Sequence, residues 1–121
     1  LKETDATGVI YFTSLFQYAL EAFEAYLHNK NFSLSKIFDK GYLMPIVHAE
    51  ADFKAPLRVG DLITIDLMIS HIGVKSFSMN SHIALASTKQ LAGCVKIVHA
   101  FVRQGENESC TIPADLLGFL Q

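Results

Sequence analysis

Asp5 and Gly8 stand just ahead of the longest helical pattern in the chain, in the stretch Asp5-Ala6-Thr7-Gly8-Val9-Ile10-Tyr11-Phe12. The first amides of a helix have no intrahelical partner and sit at the positive end of its dipole. A carboxylate a few residues upstream of them makes a two-part device. The amides hold a developing oxyanion, while the carboxylate attacks an electrophilic carbon or delivers water to it. Gly8 lets the chain turn tightly and lets a substrate approach the backbone. The plain alternative is a solvated loop aspartate placed before a helix for dipole reasons alone.

Other chemistry-bearing side chains are weaker candidates. By strand alternation His48 shares a face with Glu50 and Asp52, which makes it a polar outward residue or one that borders a pocket. His28, His71, His82 and His99 match no metal-binding spacing and read as structural or solvated, so no metal is expected. Glu21 and Glu24 belong with Gln17 and His28 to the polar stripe of the helix. Neither Cys94 nor Cys110 has a base predicted beside it, and Ser14 lies in no G-x-S-x-G elbow. The two cysteines show no C-x-x-C spacing, which argues against a disulfide framework and for a reducing compartment, the cytoplasm.

These groups need a scaffold. From Tyr11 to His28, Phe12, Leu15, Phe16, Ala19, Phe23, Tyr26 and Leu27 recur at spacings of three and four, which predicts one long helix ending at Asn29 to Asn31. Ser14 and Gln17 have capping-box spacing. A short second helix is predicted from Ser33 to Asp39, capped by Ser33 and stopped at Gly41. After Gly41 the period becomes two. Pro45, Val47, Ala49, Ala51 and Phe53 alternate with His48, Glu50, Asp52 and Lys54, and the strand ends at Pro56 and the Val59-Gly60-Asp61 turn. Strands over Leu62 to Ile72, Lys75 to Ser87 and Leu91 to Arg103 read as an antiparallel meander. Pro113 with Leu116, Leu117 and Leu120 predicts a short terminal helix. A lone helix buries its whole apolar face only in a concave sheet, so the fold class is α+β, with the long helix wrapped by a bent antiparallel sheet.

The 121 residues suit a single domain over 1-121. Hydrophobic residues make up 50% and charged residues only 18%, which excludes disorder and points to surface buried in an oligomer. Ten basic against twelve acidic residues give a net charge of −2, so no global field draws nucleic acid or an anionic membrane. No apolar run reaches the ~18–20 residues of a membrane span. The chain opens at Leu1 with no visible signal peptide, and the natural N-terminus is expected to be missing.

Five stretches in order carry a family resemblance: the Asp5 to Phe12 motif before the helix, the Pro45-Ile46-Val47 strand, Pro56-x-x-x-Gly60-Asp61, Lys75-Ser76-Phe77 and Ile112-Pro113-Ala114-Asp115. Together they resemble the hotdog-fold acyl-CoA thioesterases of the 4-hydroxybenzoyl-CoA thioesterase type, from about Glu3 to Leu120. Leu43 to Ala49 followed by Asp52 to Pro56 is most similar to the branch that hydrolyses 1,4-dihydroxy-2-naphthoyl-CoA in phylloquinone or menaquinone synthesis. The resemblance implies Asp5 as nucleophile or general base, and oxyanion-binding amides at the helix start, with Phe12 as donor and Gly8 shaping the loop. It implies His48 at the acyl pocket and Lys75 and Ser76 as CoA contacts. Coenzyme A enters as part of the substrate, with no separate cofactor, and subunits pair by sheet edges as a homodimer or dimer of dimers. Gly73 and Val74 stand where the 4-hydroxybenzoyl enzymes carry two arginines, so Arg58, Lys54 and Lys89 become alternative phosphate partners. Three readings compete with this one: a short- or medium-chain thioesterase, a hotdog dehydratase, and a non-catalytic acyl-CoA-binding module.

Overall fold

The structure, a computed structural model, describes residues 13–58 and 60–120. In chain order the elements are helix α1 (Thr13–Asn29), helix α2 (Leu34–Asp39), β1 (Tyr42–Leu43), β2 (Ile46–Phe53), β3 (Ile63–Ile72), β4 (Ser76–Leu85), β5 (Leu91–Ala100), β6 (Val102–Arg103) and a closing 3₁₀ helix, Ala114–Leu120. Four strands form one antiparallel sheet in the order β2-β5-β4-β3, and β1 pairs with β6 beside it. The meander β3-β4-β5 is thus extended by β2, which lies beyond β5 at one end of the described sheet.

Local chemistry sets the helix ends. At the C-terminus of α1, Asn31 adopts a left-handed conformation with φ 63°. Its N–H donates to the His28 carbonyl at 3.1 Å, and the Phe32 N–H donates to the Leu27 carbonyl at 2.9 Å. This is the Schellman pattern with asparagine in the place glycine often takes. Ser33 caps α2 by accepting a bond from the Lys36 N–H at 3.1 Å, and Gly41, at φ 95°, stops it.

Along α1, Leu15, Ala19, Phe23 and Leu27 form an i, i+4 row that is buried to within 2%. This row seats the helix on the sheet. Leu15 packs so tightly over β5 that a Cβ built on Gly93 would lie 2.7 Å from Leu15 Cδ1 and 3.2 Å from the Asp52 carbonyl. At the other end of the helix, Phe23 stacks on His99 with centroids 5.0 Å apart, and His99 stacks in turn on Phe77 at 5.3 Å. Helix α1 therefore runs antiparallel to β2, starting at the Gly93 end of the sheet and finishing at the His99 end. The 3₁₀ helix closes the core by setting Phe119 edge-on to Phe77, and the Tyr26 hydroxyl donates to the Phe119 carbonyl. Burial raises the Tyr26 pKa above its ordinary value.

The sequence pattern needs three corrections. A bulge between Ile46 and His48 breaks the alternation of β2, so Ile46 rather than Val47 pairs with inward-facing His99, and Val47 is exposed. The expected strand from Leu91 to Arg103 is interrupted at Phe101, whose N–H turns to the Lys75 carbonyl and whose carbonyl accepts from Cys110. The terminal helix is 3₁₀, and its first turn closes on the Pro113 carbonyl, which accepts from Leu116 and Leu117.

Gly93→Val should cost about 1–3 kcal/mol, because the added methyls overpack a seam closed by backbone on one side. Urea unfolding should read this as a lower midpoint at unchanged slope, and Leu15→Ala in the same chain should recover part of the loss.

Candidate active site

Asp5, Gly8 and Phe12 lie outside the described residues. The structure places the helix that follows them, with Leu15 over Gly93 and against the Asp52 end of β2. The described start of α1 lies at the end of the sheet where β2 finishes and the β4–β5 hairpin turns. Lys54 and Lys89 are at this same end. The Lys54 N–H bonds the Ala92 carbonyl, and Lys89 occupies the hairpin turn at φ 62°. Arg58 follows β2 in the Gly60-Asp61 turn, where its N–H donates to Asp61 Oδ2 at 2.8 Å. All three basic side chains are exposed.

Lys75 and Ser76 sit at the other end. Ser76 pairs with Ala100, and the Ser76 carbonyl accepts the Gly73 N–H at 2.8 Å, closing the β3–β4 turn. Six residue steps along β5 separate Gly93 from His99, roughly 20 Å at about 3.3 Å per step. Within one protomer, Lys75 and Ser76 are remote from the start of α1.

His48 lies on the sheet face turned away from α1, paired with Val98, and its side chain is 54% exposed. Its Nε2 is 3.8 Å from Glu50 Oε2, a loose surface pair. The same face carries a cross-strand row of Asp52, Cys94, His82 and Asp66. Among the described residues, no three His, Cys, Asp or Glu side chains converge on a metal position. Cys94 and Cys110 are free thiols. Glu21 and Glu24 are exposed, and Glu21 accepts from Gln17 at 3.4 Å.

The histidine that the structure singles out is His99, which is 4% exposed. Its Nδ1 is 3.0 Å from the Met44 carbonyl, which can only accept, so Nδ1 carries the proton and Nε2 keeps a lone pair. Nε2 is buried and has no hydrogen-bond partner. Burial lowers the His99 pKa below the ordinary imidazole value, against a smaller opposing effect of the Met44 bond. The sequence does hold a signal for this position. His99 has the strand parity of Val95 and Ile97, opposite to Lys96, and shares their inward face.

Two cavities adjoin Met44, and His99 lines the smaller of them. One, of about 360 Å³, is lined by Leu20, Phe23, Glu24, Leu34, Met44, Ile46 and His99. The other is an apolar groove of about 640 Å³ between α2 and the segment from Tyr42 to Pro45.

A family profile described as a thioesterase-like superfamily matches residues 1–120. The chain belongs to that superfamily. A relative from Rippkaea orientalis, named 1,4-dihydroxy-2-naphthoyl-CoA hydrolase, is 33% identical over 123 residues, covering 100% of this chain and 89% of its own length. Among solved structures, a 1,4-dihydroxy-2-naphthoyl-CoA thioesterase from Synechocystis superposes with a TM-score of 0.91 at 30% identity, covering 99% of this chain and 88% of that one. A gentisyl-coenzyme A thioesterase superposes with a TM-score of 0.84 at 26% identity, covering 99% and 93%. The thioesterase-like fold here is the hotdog fold that the sequence motifs implied, and no helix among the described residues is long and apolar enough to cross a membrane.

His99 also makes stability depend on pH. Its folded-state pKa is depressed, so its contribution is intact above about pH 6.5, the ordinary histidine value, and is lost as the pH falls below it, where the unfolded chain binds the proton first. Between about pH 7.5 and about pH 5.5 the urea midpoint of the wild type should fall more than that of His99→Phe. Parallel falls in the two chains would show that His99 does not supply the slope.

Proposed function

We propose that this chain is an acyl-CoA thioesterase acting on an aromatic acyl group, with 1,4-dihydroxy-2-naphthoyl-CoA as the leading substrate and quinone biosynthesis in the cytoplasm as its setting. The observation that carries the reading is the likeness, over essentially the whole length, to relatives that bear this activity in their names. The gentisyl-CoA relative keeps the aromatic class, with one ring in place of two fused rings. In this reading the entire chain is one hotdog domain, and coenzyme A is the leaving group rather than a cofactor.

The chemistry follows from the order of residues along the chain. The thioester carbonyl rests on amides at the start of α1, including that of Phe12, in a loop shaped by Gly8. As the carbonyl carbon becomes tetrahedral, its oxygen gains negative charge, which those preorganised donors and the helix dipole stabilise. Asp5 lies opposite. It attacks the carbon to form an acyl anhydride and expel the CoA thiolate, with water then cleaving the anhydride, or it draws a proton from the water that attacks directly. A dehydratase needs a histidine and a carboxylate presented together. Among the described residues His99 instead gives its N–H to a backbone carbonyl, and the His48–Glu50 pair is loose and exposed, so neither of these two histidines supports that alternative.

The partner in this reading is a second copy joined through β2. Seven of its eight residues are exposed, and they include Ile46, Val47 and Phe53. A sheet end with bare backbone groups and apolar side chains on both faces is an association liability unless another strand pairs with it. β3, at the other end of the described sheet, packs against α1. Two copies of β2 pairing antiparallel about a two-fold axis would cover the exposed strand and place His48 near the interface.

Asp5→Asn should lower turnover on naphthoyl-CoA at least ~10³-fold with little change in unfolding midpoint, since its role is chemical rather than packing. An active, normally folded variant would remove Asp5 from the mechanism. Val47→Lys, at a position 60% exposed, should give a folded monomer in sedimentation with lost turnover. A dimer of normal activity would exclude the β2 interface.

A further inference from the structure

Three exposed cations gather at one end of the sheet. Lys54 follows β2, Arg58 lies in the loop after it, and Lys89 occupies the β4–β5 hairpin turn. Backbone hydrogen bonds tie these segments together. The Ala92 carbonyl accepts the N–H groups of Lys54 and Ala55 at 2.8 and 3.1 Å, and the Leu62 carbonyl accepts that of Ala86 at 2.9 Å. Asp61 Oδ2 accepts the Arg58 N–H at 2.8 Å, which closes the loop. Among the described residues none of the three basic side chains is ion-paired, so their charge is open to a ligand. The β3–β4 turn, at the other end of the sheet, carries one basic residue, Lys75.

The same corner holds a cavity of about 440 Å³, between Gly60-Asp61-Leu62 and the hairpin residues Leu85, Ala86 and Ser87. That volume falls within the ~300–1,000 Å³ usual for small-molecule sites. Leu62, 79% exposed, presents an open apolar surface beside the Asp61 carboxylate and the Ser87 hydroxyl. An apolar plate with a polar rim suits a flat heteroaromatic base, and cations next to it suit phosphate oxygens, which a guanidinium grips in pairs. A base joined to phosphates is a nucleotide. Leu91, where the hairpin closes on Ala84, is two steps along β5 from Gly93, roughly 7 Å at about 3.3 Å per step. The corner therefore shares its end of the sheet with the described start of α1.

Resting on the thioesterase reading, we propose that the nucleotide end of the acyl-CoA binds at this corner of a single protomer, its adenine in the cavity against Leu62 and its phosphates on Arg58, Lys89 and Lys54. The phosphate contacts thus move away from Lys75 and Ser76 to the opposite end of the sheet. Coulomb attraction supplies the hold, so it weakens as salt rises.

The test compares the full-length chain with the double variant Arg58→Ala, Lys89→Asn. Both side chains are exposed, and asparagine accepts the left-handed backbone of position 89, so the variant should keep the wild-type urea midpoint. On 1,4-dihydroxy-2-naphthoyl-CoA its KM should rise at least about tenfold with kcat within about twofold, and on the same acyl group carried by pantetheine, which has no nucleotide, KM should change less than about twofold. The wild-type KM on the CoA ester should climb with ionic strength more steeply than that of the variant. Equal losses on the two esters, or no loss on the CoA ester, would overturn the proposal, as would a tenfold rise in KM from Lys75→Asn alone. Adenosine 3′,5′-bisphosphate should inhibit the wild type competitively, and inorganic phosphate at the same concentration far less. Equal inhibition by phosphate would reduce the corner to an anion patch and remove the nucleotide site. If the wild type cleaves neither ester, the functional reading fails, and calorimetric titration with adenosine 3′,5′-bisphosphate decides the site by itself. Saturable binding weakened at least about tenfold in the double variant supports it, and binding that is absent or unaffected removes it.

Discussion

The seam between Leu15 and Gly93 sets the polarity of this molecule. Helix α1 can approach the sheet so closely only where β5 has no side chain, and the buried row from Leu15 through Ala19 and Phe23 to Leu27 then dictates the rest of its path. With the helix start at Gly93, its end must lie over His99 and Phe77. That polarity separates two regions of different character. The helix start faces the end of β2 with Lys54, Arg58 and Lys89 nearby, and the helix end faces the apolar surfaces of α2 and the segment leading into β2.

Strand β2 runs between these two regions. β2 hydrogen-bonds to β5 on one side, and the described chain covers neither of its faces fully. Its inward positions, Ala49, Ala51 and Phe53, lie in register with the buried Ile97, Val95 and Gly93, yet Ala49 and Phe53 remain exposed. Among the described residues, the inner face of β2 is thus left partly open. The low charged fraction agrees with surface reserved for another subunit.

The two histidines show how environment assigns roles to one residue type. His48 stands in solvent beside Glu50, at 3.8 Å, where the contact is loosely held. His99 is stacked between two phenyl rings and tied to a carbonyl, with its pKa lowered by burial and its buried Nε2 left without a partner. A residue of the second kind orients what surrounds it. Here it fixes the Met44 carbonyl, and with it the wall shared by both cavities.

The amino-acid sequence alone determined what depends on near neighbours. The i, i+4 apolar row of α1, the Asn31 and Gly41 stops, the Ser33 cap, the Gly60-Asp61 turn and the β3-β4-β5 meander are all readable from spacing and side-chain type, since each is decided within a few residues. The motif from Asp5 to Phe12 is read in the same local way and lies outside the described residues. Only the tertiary structure decided that a bulge turns Val47 outward, that Phe101 breaks the last long strand, that His99 lies buried against Phe23, and that Lys75 sits at the opposite end of the sheet from Lys54 and Lys89. These outcomes depend on pairings between residues tens of positions apart, whose register and burial are settled by packing all the strands and α1 together and leave little trace in any local window of the chain.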